Sequence, residues 1–383
     1  MKQVEYQFDE VVTLFDKQRV PLSSMERSKR QGSYRYYGAQ GIIDYIDDYI
    51  FDGEYILLAE DGENLKSNKQ DLAQLVDGKF WVNNHAHILR TKEVCRLRYF
   101  YFWINSKNLT EYVTGSAQPK LSQGSLKKMI IPLPTLEIQD KILSIITPID
   151  EKIKENARVN DNLTQQARSL YQAWFVDYEP FGGSAPSDWS NVSLGQVAIM
   201  KTDSWSPVKN PDDVVEHYSI PAYDEQYYPV FESATDIKSN KYILTPDSVM
   251  ISKLNPDTKR IWRPICLSAN SVCSTEFIVY EARKNDQKEY IYSILDSVPF
   301  FNYLCAHTTG STNSRQRATP KATLDFSFQL PPDNVIKDFC QLVTPMYDLI
   351  ASNIVENQSL AQTRDSLLPR LMTGELDVSN LNL

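Results

Sequence analysis

The residues able to do chemistry are few and poorly assembled. His85 and His87 flank one alanine in a stretch that reads as a strand. Positions i and i+2 of a strand share a face, but two ligands fall short of a zinc site, so a structural role is expected. No GxxxxGK[ST] loop is present to cradle a triphosphate, which argues against ATP hydrolysis by this chain, and no GxGxxG turn is present to hold a dinucleotide. A DNA amino-methyltransferase would carry an Asn-Pro-Pro-Tyr type of motif. Asn210-Pro211-Asp212-Asp213 and Asn255-Pro256-Asp257-Thr258 lack its second proline and its aromatic, and each reads as a turn. With four histidines in all, a His-based hydrolase has little to draw on. Acids crowd residues 44–63, where an acidic surface explains them more simply than an acid/base pair.

Positive charge is segregated instead. Lys17, Arg19, Arg27, Lys29, Arg30 and Arg35 fall in one short stretch against a single acid, Glu26. Lys253, Lys259, Arg260 and Arg263 surround Trp262 with Asp257 the one acid among them, and Arg315, Arg317 and Lys321 follow with none. The stretch from Gly115 to Ser125 corresponds to this last one and offers Gln118, Lys120 and several small polar donors. Lys and Arg at such sites suit phosphate contact, and Gln, Asn and Ser suit base edges. Basic clusters at equivalent places in two copies point to nucleic acid more strongly than either does alone.

The elements that must position these residues occur twice. Residues 138–170 align without a gap on 335–367 at a constant shift of 197. Identities include Thr147-Pro148 with Thr344-Pro345, Asn156 with Asn353 and Asn160 with Asn357. Upstream, Gly115-Ser116 corresponds to Gly310-Ser311, and Phe8-Asp9-Glu10-Val11 to Leu194-Gly195-Gln196-Val197. The period is too long for a solenoid, so each copy is a whole domain plus a helix.

Both aligned segments follow a heptad rhythm, with seam positions alternating by three and four. The seam of the first holds Ile146, Ile149, Ile153, Asn156, Asn160, Leu163, Leu170 and Trp174. The second holds Val343, Met346, Ile350, Asn353, Asn357, Leu360 and Leu367. Seam Asn costs stability and fixes register. Each Thr-Pro marks either a new helix start or a proline within one continuous helix. The second helix is expected to end near Pro369, with Gly374 beyond it. The intervening blocks mix short β-branched and aromatic runs with turns, and read as compact α+β domains. A Pro/Gly/Ser-rich link at 178–187 joins the first helix to the second domain.

Length and composition agree. A chain of 383 residues allows two or three domains, each with its own core. No apolar run approaches the ~20 residues that span a bilayer, and the first residues lack the apolar core of a signal peptide. Cys95, Cys266, Cys273, Cys305 and Cys340 are an odd, scattered set, which points to a reducing cytoplasm and buried thiols. A net charge of −9 excludes a uniformly basic DNA-coating protein.

The residues from Ala167 to Pro180 (ARSLYQAWFVDYEP) resemble the central conserved stretch of the specificity subunits of type I restriction–modification systems. Those from Ser366 to Leu376 (SLLPRLMTGEL) resemble its distal counterpart. Gly115-Ser116 and Gly310-Ser311, each followed by a Leu-Pro and a long helix, resemble the ends of that family's target recognition domains. The resemblance covers essentially the whole chain. It implies an α+β protein with target recognition domains at 1–134 and 180–331, and helical spacers at 135–179 and 332–383 that pair as an antiparallel coiled coil. It further implies a non-catalytic subunit without a cofactor of its own. Each domain would read half of a split double-stranded DNA target. Two modification subunits would dock on the helices and methylate adenine with S-adenosylmethionine, and two restriction subunits would add ATP- and Mg2+-dependent translocation and cleavage. A helix of ~33 residues at ~1.5 Å per residue would then act as a ruler of roughly 50 Å, of the order of 15 bp. One departure stands out: Arg364 occupies the seam position matched by Ala167, so it faces either partner helix or solvent. The competing reading is a coiled-coil interaction scaffold whose domains do not read DNA.

Overall fold

Strand Tyr55–Ala59 is apolar without a break because both of its faces are covered. Alternation along the strand sends Ile56 and Leu58 into one core with Phe8, Tyr99 and Phe100, and Tyr55 and Leu57 into a second with Phe51, Phe80 and Val82. It lies in an antiparallel sheet ordered Val12–Leu14, Ala86–Thr91, Tyr55–Ala59, Ala73–Val76. A second sheet is ordered Gly41–Ile46, Gln31–Gly38, Lys79–Val82, Phe51–Asp52, and its middle pair is parallel.

The same plan recurs 190 or so residues later. Val249–Ser252 is again buried on both faces, with Val249 and Ile251 in one core and Met250 in another. Its sheet runs Ala198–Lys201, Phe277–Ala282, Val249–Ser252, Ile261–Trp262. The companion sheet again has a parallel pair at its heart, Val214–Tyr218 with Ser271–Cys273. The short helices Phe8–Val11 and Leu194–Val197 each carry a capping box and bury their first and last residues. Each domain also closes with an antiparallel pair, Val4–Gln7 with Ile130–Leu133 and Ser190–Ser193 with Ser327–Leu330.

This computed structural model describes residues 2–67, 70–115, 118–309 and 316–381. Contacts divide the chain into two units, Met1–Ile153 with Gln358–Leu383, and Lys154–Asn357. The division falls within two long helices, α1 (Leu136–Phe175, 40 residues) and α2 (Asp333–Thr373, 41 residues). Each Thr-Pro therefore lies inside a continuous helix, and α2 passes through Pro369 to end at Thr373, with Gly374 at φ 78° beyond it. An interior proline costs ~3 kcal/mol, a loss that packing offsets. In the first unit Ile142 and Ile146 of α1 share a core with Leu368, Leu371 and Met372 of α2. In the second, Ala167, Tyr171 and Phe175 meet Ile336, Phe339 and Val343. Early α1 meets late α2 and late α1 meets early α2, so the helices pair antiparallel.

None of the fifteen seam residues read from the heptads is exposed. The four Asn pair reciprocally. Asn156 Nδ2 donates to Asn357 Oδ1 at 2.8 Å, and Asn353 Nδ2 donates to Asn160 Oδ1 at 2.8 Å. Asn156 also donates to Glu356 at 2.6 Å. Arg364 faces the partner helix, 3.3 Å from the buried Asp150 carboxylate. The equivalent place in the other copy holds Tyr347 and Ala167, in one apolar cluster. All five cysteines are free, with Cys95, Cys273 and Cys340 buried, and among the described residues no helix is long and apolar enough to cross a membrane.

Asn156 is itself buried, and truncating it removes the amide that donates to both Asn357 and Glu356. Asn156→Ala is expected to lower unfolding free energy by about 1–3 kcal/mol. A double-mutant cycle with Asn357 should return a coupling above about 0.5 kcal/mol. Losses that simply add in chemical denaturation would show that the two amides do not act as a pair.

Candidate nucleic-acid interface

In the first domain the basic residues are held on aromatic faces. The register sets Tyr36 beside Trp81 on the parallel strands. The Arg27 guanidinium lies 5.2 Å from the Tyr36 ring and Arg30 lies 4.9 Å from Trp81. Arg35 lies 5.8 Å from Tyr37, and the Lys79 ammonium 4.5 Å from Tyr49. Tyr36 and Trp81 are themselves fixed, the latter by donating to the Val20 carbonyl at 2.6 Å. Each guanidinium also meets an acid or carbonyl: Arg27 with Asp44 at 2.9 Å, Arg30 with Asp47 at 2.9 Å, and Arg35 with Asp77. The hydrogen bond from Arg27 holds the Asp44 carboxyl below its ordinary range. Cation–π contact and ion pairing together fix the guanidinium heads, with Arg30 and Arg35 more exposed than Arg27. Lys29 is exposed beside them.

The loop carrying Gln118 and Lys120 is tied to the end of strand Tyr55–Ala59. Lys120 bridges to Thr114 and to Asp61, and the Leu121 N–H donates to the Glu60 carbonyl at 2.8 Å. The Lys120 ammonium is 3.2 Å from Glu60. Beneath it Asp16, Glu60 and the fully buried His87 converge within 4.8 Å, a donor set that could hold a metal ion. The cluster is already balanced from within: Arg19 lies 2.7 Å from Glu60 and 3.6 Å from Asp16. Both ring nitrogens of His87 are engaged, Nδ1 with Asp16 at 2.5 Å and Nε2 with the Leu121 carbonyl at 2.7 Å. Burial pushes the Asp16 carboxyl up, but hydrogen bonds led by His87 outweigh it and leave it low. A further cation there would meet Arg19 and Lys120. His85 turns away to Asp61 at 2.7 Å, so the two histidines do not converge.

The second domain repeats the loop attachment. Leu254 bridges to Arg317, the Ala318 N–H donates to the Lys253 carbonyl at 2.8 Å, and Asn255 N–H to the Gln316 carbonyl at 2.9 Å. Lys253 and Arg317 are thus brought together at the end of strand Val249–Ser252, as Lys120 is at the end of Tyr55–Ala59. Arg317 is 3.1 Å from Glu276 and exposed, and Lys321 is exposed on the next turn. Gly310, Ser311 and Arg315 lie outside the described residues.

The remaining basic residues of this stretch are separated from that loop. Arg260 makes a two-pronged pair with Asp224 at 2.7 and 2.9 Å, and Lys259 meets the buried Asp296 at 2.5 Å. Arg263 is nearly covered, 2.8 Å from Glu289 and 2.9 Å from Asp348 of α2. Trp262 is a core residue. Arg263 therefore ties the domain to α2. Tyr171, Phe175 and Tyr347, which lie off the heptad seam, tie it in the same way through packing. Each follows a seam residue (Leu170, Trp174 or Met346) by one position, and that offset is the signal that marks a second buried face of each helix.

Two copies of one α+β domain, each with a loop docked at the end of its doubly buried strand, carrying Lys120 in the first and Arg317 beside Lys253 in the second, make this a duplicated two-domain protein with two long antiparallel helices. Residues 2–165 match the type I restriction modification DNA specificity domain. A Haemophilus influenzae chain described as a putative type I restriction enzyme specificity subunit is 36% identical over 138 residues, 36% of this chain and 35% of that one. The MjaIX specificity subunit of Methanocaldococcus jannaschii is 25% identical over 74% of this chain and 70% of its own. This chain thus spans about a third of the first relative and about seven-tenths of the second. The crystal structure of the type I restriction–modification S subunit from M. genitalium shares the fold, with a TM-score of 0.63 and 15% identity over 97% of this chain and 96% of that one. Residues 2–165 thus carry the type I restriction modification DNA specificity domain, and over about three quarters of its length the chain resembles proteins described as type I restriction enzyme specificity subunits.

The corner around Arg263 also carries a pH signature. Lys288 is pushed down to about 8 by burial and then by the Arg263 charge. Its folded value is depressed, so the unfolded chain binds the proton more tightly and stability rises with pH above about 8, up to the ordinary lysine range. The slope from this one group is at most about 1.4 kcal/mol per pH unit. Wild-type minus Lys288→Met stability should rise between about pH 8 and about 9.5. A pH-independent difference would contradict the assignment.

Proposed function

We propose that this chain reads a bipartite double-stranded DNA target, one half through each domain, and seats two modification subunits on its paired helices. Restriction subunits join through these. On this reading the assembly works in the cytoplasm. The methyl donor S-adenosylmethionine, ATP and Mg2+ serve the partner subunits, and this chain supplies the address. The observation that carries the reading is the repeated loop. Lys120 in the first domain, and Lys253 with Arg317 in the second, stand at the end of the equivalent buried strand. The cations set on aromatic rings, Arg27, Arg30 and Arg35, with exposed Lys29, extend the surface of the first domain. Lys321 and Arg315 belong to the same proposed surface of the second. Arg260, Arg263 and Lys259 contribute by holding the domain in shape.

Phosphate contacts release counterions, so affinity should fall by close to one power of salt per contact. Arg317→Glu and Lys120→Glu in the purified assembly should each weaken duplex binding and flatten the slope of log affinity against log salt by about 1. Binding to duplex that is no tighter at low salt than at high would instead support the scaffold reading.

The helices are the proposed ruler. Adding one heptad to each lengthens the pair by ~10 Å, so the preferred spacer between half-sites should grow by ~3 bp. Binding selection on duplexes of graded spacer length reads this directly, and an unchanged optimum would overturn the ruler.

A further inference from the structure

Resting on the DNA-recognition reading, we infer that the two-stranded ribbon Gln31–Gly38/Gly41–Ile46 is the part of the first domain that enters the major groove, with Ile42, Ile43 and Tyr45 contacting thymine methyl groups. Strand Gly41–Ile46 is the edge of its sheet, paired on one side to Gln31–Gly38. A ribbon of two strands is one of the elements that the ~12 Å major groove admits. This ribbon is doubly bulged, between Gln31 and Tyr34 and between Tyr36 and Tyr37. Bulges bend a strand, raise its twist and re-aim side chains. Ile43 falls in the second shift, between Asp44 opposite Tyr36 and Ile42 opposite Tyr37. Gly32 is needed at the first, since a Cβ there would collide with the Ile46 carbonyl oxygen and the Asp47 backbone.

The chemistry of the exposed residues is mixed in a way that suits DNA. Ile42, Ile43 and Tyr45 are 42%, 51% and 48% exposed, on a strand whose other apolar residue, Ile46, is fully buried. Exposed aliphatic side chains on an edge strand invite aggregation unless a partner or charge covers them. Here they are bordered by Lys29, Arg30 and Arg35, and Tyr45 stands directly opposite Arg35 in the register. A partner for this face must be anionic along its borders and apolar at points between. Duplex DNA offers phosphates at the groove edges and thymine C5-methyl groups on its floor. The heads of Arg30 and Arg35 are held by Trp81 and Tyr37, so they are poised for phosphate at little entropic cost.

The test uses the assembled complex and its methylated motif, with each thymine of the first domain's half-site replaced by uracil, which removes only the methyl group. Wild-type affinity is expected to drop about four-fold for each contacted methyl. Ile42→Ala/Ile43→Ala should lose that discrimination while keeping the salt slope, and Ile43→Val should retain most of it. Uracil duplex bound as tightly as thymine duplex, or discrimination unchanged in the double variant, overturns the inference. Failure to bind any duplex at low salt would instead defeat the underlying DNA-recognition reading.

Discussion

The antiparallel register of α1 and α2 is the constraint on which the rest of the protein depends, and four amides set it. Duplication placed Asn156 and Asn353, and Asn160 and Asn357, at equivalent positions. Antiparallel pairing turns that equivalence into two reciprocal hydrogen bonds. A slip of one heptad sets the buried Asn353 against Ile153 or Ala167. A buried amide facing an aliphatic side chain costs far more than the hydrogen bond returns. The copies then diverge on either side of the shared amides. Asp150 meets Arg364 in one unit, and Tyr347 shares an apolar cluster with Ala167 in the other. A symmetric seam with asymmetric flanks lets one register serve two different domains.

On the proposed function, an acidic chain that reads DNA needs its cations placed rather than numerous. The first domain sets guanidinium groups on Tyr36, Trp81 and Tyr37, and each also meets a carboxylate or carbonyl. The more exposed of these pairs, such as Arg30 with Asp47, are worth little in stability, so on the proposed function phosphate can replace the acid at small cost. In the second domain most of the cations near Trp262 are spent on tertiary structure, and the basic character of the loop rests on Lys253, Arg317 and Lys321. The acids that give a net charge of −9 are in part the resting partners of these cations.

Much of this was legible in the sequence because it depends on spacing. The 197-residue shift marks α1 and α2, and the heptads mark a seam in which no named residue is exposed. The loops around Lys120 and Arg317, which the duplication matches, attach alike in both domains. What spacing does not reveal is which partner the fold brings from afar. The Thr-Pro pairs satisfy the local rules for a helix start, yet tertiary packing carries both helices through. Lys253 and Arg263 are ten residues apart, but one joins the loop and the other answers Asp348, 85 positions away. His87 lies on a strand next to a solvent-facing His85, and its role emerges only when Asp16 and Leu121 close over it.

The most direct test of the central claim is methylation-sensitive sequencing of the host genome with and without this chain. If the chain supplies the address, one split motif is methylated on both strands, is separated by an unread spacer, and disappears when the chain is deleted. A methylation pattern indifferent to the deletion would contradict it.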